Sequence, residues 1–178
     1  MRGRWVWLAL GALLVIAGGS AVLVPLVRSA TSDEPAPTSS RQLMGCAEVL
    51  PSDGYCQRLA DDLADRGSLT RIDQAEAERL VDDLRAVFED DLGGQCPPEG
   101  HFCVLAEPPT AEAVRAALVA AGFTGPVRPA RYTDPAPAEA IIYGVHAGAA
   151  CLVGWVDRGT GSLPSPVGRR PDGSCLAP

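Results

Sequence analysis

From Trp5 to Val27 the chain runs for 23 residues without a charge, interrupted only by glycines, Ser20 and Pro25. As a helix rising about 1.5 Å per residue, such a stretch crosses a hydrocarbon core of about 30 Å with some tilt. A buried helix of a soluble domain would not need so long an uncharged run. A cleavable signal peptide also opens on basic residues, but its apolar stretch is usually about 7–15 residues long. The length therefore favours an uncleaved anchor. A cut after Ala21 would leave the chain continuing Val22, Leu23, Val24, and a cut after Ala30 would put Arg28 three residues before it, an unfavourable place. Arg2 and Arg4 orient the N-terminus toward the cytoplasm. The expected localisation is a single-pass cell-membrane protein whose C-terminal part lies outside the cytoplasm, with secretion after cleavage as the alternative. Residues 1–28 are then a cytoplasmic stub and transmembrane anchor (or signal peptide), with Trp5 and Trp7 at the headgroup boundary.

All six cysteines, Cys46, Cys56, Cys96, Cys103, Cys151 and Cys175, fall beyond this run. An even number outside the membrane points to disulfides formed in an oxidising space. Sequence alone leaves several pairings open. Pairing neighbours, Cys46 with Cys56, Cys96 with Cys103 and Cys151 with Cys175, closes three short loops that contain Pro or Gly, and this is the expected connectivity. There is no Cys-x2-Cys pair of the kind that announces a zinc site. No metal and no cofactor are expected.

Residues 29–42 are mostly Ser, Thr, Pro and Ala and lack the bulky apolar side chains needed for a core. They read as a flexible spacer. Residues 43–178 then form one extracytoplasmic domain. The chain carries 15 arginines, no lysine and 22 acids, for a formal charge of −7. That balance argues against neutralising a phosphate backbone, so no nucleic-acid partner is expected.

Local patterns within the domain predict helices first and strands later. A short helix near 55–66 would be capped by Ser52 or Asp53, carry Leu59 and Leu63 one turn apart and stop at Gly67. Thr70 with Asp73 resembles a capping box, and Ile72, Leu80, Val81, Leu84, Val87, Phe88 and Leu92 keep a helical period up to Gly93-Gly94. A strand over His101–Leu105 follows, then a helix capped by Thr110 and ended by Gly122, with Phe123 covering its end. Strands are predicted at 127–132, 140–146, 150–157 and 162–168, with a hairpin around Arg158-Gly159-Thr160-Gly161. This order predicts an α+β fold with two or three helices packed on a mainly antiparallel, disulfide-stapled sheet, preceded by a single N-terminal transmembrane helix.

Cys151-Leu152-Val153-Gly154, the following strand and proline-bearing segment, the ending Gly173-Ser174-Cys175-Leu176, and the helix end Ala121-Gly122-Phe123 together resemble a family pattern. It is that of small membrane-anchored or secreted extracytoplasmic domains of unknown function from actinobacteria. The resemblance spans roughly residues 70–178. It implies an exported α+β domain in a high-GC Gram-positive cell, and it brings no activity with it.

The candidate chemistry is sparse. A hydrolase would use His101 or His146 with carboxylates, but no paired histidine motif, nucleophile elbow or phosphate loop occurs. The strongest chemical feature is acidic: between Glu48 and Asp91 stand 13 acids and five arginines. Among them Asp82, Asp83, Asp90 and Asp91 are candidate partner-binding residues, with a solvated, solubilising face as the bland alternative. Glu89, Asp90 and Asp91 sit where a helix C-terminus is already partly negative, which is easier to understand if a cation or an arginine lies nearby. Tyr143, His146 and Trp155 are the side chains of the strand-rich third best suited to anchor a ligand. The expected function is a membrane-tethered, non-catalytic cell-envelope interaction module. Its partners would be the membrane, through Trp5 to Val27, and an envelope protein or polymer; the alternative is the small extracytoplasmic hydrolase.

Overall fold

The computed structural model describes residues 54–178. The expected anchor and spacer, Cys46 and the proposed caps Ser52 and Asp53 lie outside the described residues. Among the described residues, no helix is long and apolar enough to cross a membrane.

Three helices are described: α1 (Tyr55–Ala64), α2 (Arg71–Ala86) and α3 (Ala111–Ala120). The capping box at Thr70 forms as the sequence predicts. The Thr70 side chain accepts from the Asp73 N–H at 3.2 Å, and the Asp73 carboxylate accepts from the Thr70 N–H at 3.4 Å. At α3, Thr110 accepts from the Ala113 N–H at 3.1 Å. Beyond its end, Gly122 takes φ +86°, and the Phe123 N–H reaches back to the Leu118 carbonyl at 2.9 Å. This wrap-around bond closes the helix and buries Phe123.

The expected uninterrupted helix up to Gly93-Gly94 needs a correction. From Val87 to Asp91 the chain is π-helical, and the Leu92 N–H bonds the Val87 carbonyl at 3.2 Å. The extra residue in this turn lets adjacent Val87 and Phe88 both enter the core. Phe88 lies on Gly161, where an added Cβ would come within 2.5 Å of the ring. Ile72 is a second departure: it is 61% exposed, and the packed stripe of α2 begins instead at Ala77.

Seven strands, β1 (Gly94–Gln95), β2 (Phe102–Leu105), β3 (Val127–Pro129), β4 (Ile141–Ala147), β5 (Ala150–Asp157), β6 (Thr160–Ser162) and β7 (Ser165–Gly168), form one antiparallel sheet in the order β1-β2-β6-β5-β4-β3. The last strand expected from sequence is divided in two. β7 pairs with Ala150–Val153 and β6 with Val156–Asp157, so the two share one edge of β5. Between them the Trp155 N–H finds the Ser162 hydroxyl at 2.7 Å. The β5–β6 turn is the two-residue loop Arg158-Gly159, both at positive φ, as a type I′ hairpin requires.

Both faces of the sheet are covered. Tyr143, Val145, Leu152 and Val156 meet Ala77, Leu84, Val114 and Leu118 of α2 and α3. Alternate positions point the other way. There Ile142 and Trp155 pack with Ala136, Ala140 and Leu176, joined by Tyr55 of α1, while Cys151, Val167 and Cys175 pack with Leu63. The fold is thus α+β with its sheet buried on two sides. Two expected disulfides are present, Cys96–Cys103 and Cys151–Cys175. Cys56 is also disulfide-bonded; the expected partner Cys46 is outside the described residues.

Candidate functional site

The sequence-predicted site residues separate into three places. Asp82 and Asp83 on α2, and Asp90 and Asp91 on its π-helical turn, are all exposed. The helix between them is held inward by Leu84, Val87 and Phe88, so the carboxylates are left on the water side. Among the described residues none of the four joins an ion pair. Arg85, the nearest cation in sequence, does not serve them. Its guanidinium donates instead to the carbonyls of Pro97 at 2.7 Å, Pro98 at 3.5 Å and Gly100 at 3.4 Å, bracing the Cys96–Cys103 loop. The acids at the C-terminal end of the helix stand uncompensated there, an arrangement unfavourable by about 0.3–1 kcal/mol.

Tyr143 and Trp155 are corrected as ligand anchors, because both are core. Tyr143 is fully buried, and its hydroxyl donates to the Ser162 carbonyl at 2.8 Å. Burial pushes its phenol far above the ordinary tyrosine range. Trp155 is 4% exposed. Its indole N–H donates to the Tyr55 hydroxyl at 3.2 Å, and its ring meets Tyr55 edge-on at 6.3 Å between centroids. These two aromatics bind the domain to itself.

His101 and His146 are exposed. Among the described residues they do not gather with a carboxylate; the cluster of metal-ligand type that does form contains His146 with Cys151 and Cys175. His146 stands opposite Cys151 in the β4–β5 register, and its Nδ1 lies 3.4 Å from Cys175 Sγ.

The structure also brings together a site the sequence does not show. A cleft of about 460 Å3 lies where α1 meets the 131–135 turn and the segment around Arg170. Its walls are ionic and mutually satisfied. Asp62 accepts from Arg66 at 2.6 Å and from Arg170 at 2.7 Å, and Arg170 also reaches Asp65 at 3.4 Å. Arg66 donates onward to the carbonyls of Gly168 at 3.0 Å and Cys175 at 2.9 Å. Asp134 is 2% exposed and accepts from Arg128 at 2.5 and 3.0 Å and from the Arg131 N–H at 2.5 Å. Burial raises its pKa, but the Arg128 hydrogen bonds, the Arg131 amide and the two positive charges outweigh it, so the carboxyl sits below the usual range. Arg58 bonds the carbonyls of Asp134 at 2.9 Å and Ala136 at 2.8 Å, with its guanidinium 5.8 Å from the ring centre of Tyr132. Tyr132, 88% exposed, forms the rim. The bonds that Arg58, Arg66 and Arg170 make across the cleft, to Asp134, Ala136, Gly168, Cys175, Asp62 and Asp65, span 76 to 109 residues of chain, so no local pattern announces the site.

No protein-family model, curated protein or solved structure matches this chain.

Proposed function

We propose that the chain is a membrane-tethered, non-catalytic interaction module of the cell envelope, which presents the acidic outer face of α2 and its π-helical turn to a basic protein or polymer surface. One observation carries the reading: Asp82, Asp83, Asp90 and Asp91 are exposed and enter no ion pair among the described residues. By contrast, Asp62 is locked to Arg66 and Arg170, and Asp134 to Arg128. A cationic partner would neutralise charge that the helix end disfavours. The apolar run Trp5–Val27 supports the tether, and residues 29–42 supply the reach.

The test is crosslinking in intact cells, with identification of what is captured. The expected product is a defined envelope component with a basic surface, crosslinked through residues of α2 or of the π-helical turn that follows it. Capture through another surface, or through none, would contradict the reading.

A further inference from the structure

The sheet face turned away from α2 and α3 carries His146 on β4, Cys151 on β5 and Cys175 in the tail, with their ligand-type atoms all within 4.8 Å of one another. Cross-strand register sets His146 beside Cys151, and the disulfide brings Cys175 to the same place. The 3.4 Å between His146 Nδ1 and Cys175 Sγ is close to the nitrogen–sulfur edge of a tetrahedral zinc site, which Zn–S of about 2.3 Å and Zn–N of about 2.0–2.1 Å set at roughly 3.5 Å. The Cys151 and Cys175 Cα atoms are 5.5 Å apart, within reach of two thiolates roughly 3.8 Å from each other on one such ion. Both cysteines are buried, at 0% and 1% exposure, whereas His146 faces solvent. An ion would therefore have two dry ligands, an entry path along the imidazole and a fourth position open to water. Zn2+ with two thiolates and a neutral imidazole carries no net charge, which removes much of the penalty for burying it.

We infer that His146, Cys151 and Cys175 form a Zn2+ site when the disulfide is reduced, so that disulfide and metal are alternative staples holding the tail to β5. The reductant is a dithiol. It closes to its own disulfide and delivers two electrons and two protons, which leave Cys151 and Cys175 as thiols. Zn2+ then displaces those two protons, bonding both thiolates and the lone pair of His146 Nδ1. The tail stays attached in either state.

The full chain, reduced by excess dithiol without oxygen and then desalted, is titrated with Zn2+ alone, and bound zinc per chain is measured. The wild type is expected to hold one more zinc than C151S/C175S, and C96S/C103S is expected to keep that extra ion. H146A, altered at an exposed position, should bind it at least tenfold more weakly. Because C151S/C175S risks failing to fold, Co2+ spectra of the wild type and H146A give an independent reading: tetrahedral bands with thiolate charge transfer, changed by removing the imidazole. Equal zinc in wild type and C151S/C175S, equal affinity in H146A, or a reduced wild type that binds no zinc, folded or not, would each overturn the inference.

Discussion

The Tyr143 hydroxyl donates a 2.8 Å hydrogen bond to the main-chain carbonyl of Ser162, crossing β5 at Gly154 to do so. Gly154 is the residue paired with Tyr143, and a Cβ there would stand 2.3 Å from the Tyr143 oxygen. The phenol thus locks β4 to β6 through the gap left by a missing side chain. Tyr143→Phe should cost about 1–3 kcal/mol in denaturant unfolding, and Gly154→Ala a similar amount by overpacking. Since the folded pKa of Tyr143 lies above its unfolded value, its contribution is complete below about pH 10 and falls as pH rises beyond that. Unfolding free energy should therefore decline above about pH 10 in the wild type and decline less in Tyr143→Phe.

Asp134 works in the opposite pH direction. Its folded pKa is held below the unfolded value, so the stability it gives is complete above about pH 4 and is lost as pH falls through the folded value. Asp134→Asn should lower unfolding free energy by about 2–3 kcal/mol at neutral pH and flatten the acid limb of a pH–stability curve.

Asp62 is the hinge of the ionic latch on α1, with its side chain 9% exposed beside Arg66 at 2% and Arg170 at 18%. Removing the carboxylate leaves two poorly solvated guanidinium groups without it. Asp62→Ala should cost about 3 kcal/mol, and the loss should show first as faster amide exchange in α1 rather than in β4 and β5.

Much of the fold was legible because its signals are local. Thr70 and Asp73 are three residues apart, Gly122 ends α3 where the apolar stripe stops, and Cys96 and Cys103 are separated by seven residues. Other features required long-range packing. The run Ala150–Asp157 is apolar almost throughout because β5 is buried on both faces, so periodicity could not show that Trp155 is core rather than surface. The π-helical turn exists to seat Val87 and Phe88 against the sheet, which no helical repeat announces. The division into β6 and β7 depends on Leu163-Pro164, whose proline has no N–H for the ladder, and on Ser162 answering Trp155. The α1 cleft was invisible in sequence because Arg58 and Arg170 find their partners across the whole domain. The acidic residues of α2 were legible as charge; their isolation from arginine became visible only when Arg85 proved to brace the Pro97–Gly100 carbonyls.

The salt dependence of partner capture tests the interaction reading most directly. Wild-type protein, the variant with Asp82, Asp83, Asp90 and Asp91 changed to Asn, and a control with Glu99, Glu107 and Glu112 changed to Gln are compared for crosslinked product across a series of ionic strengths. Exposed charges act over a Debye length of about 8 Å at physiological salt and weaken as salt rises. Capture by the wild type and the control should therefore fall together with added salt, while the α2 variant captures little at any ionic strength and keeps its unfolding midpoint. Undiminished capture by the α2 variant, or capture indifferent to salt in the wild type, would contradict the assignment of this face as the binding surface.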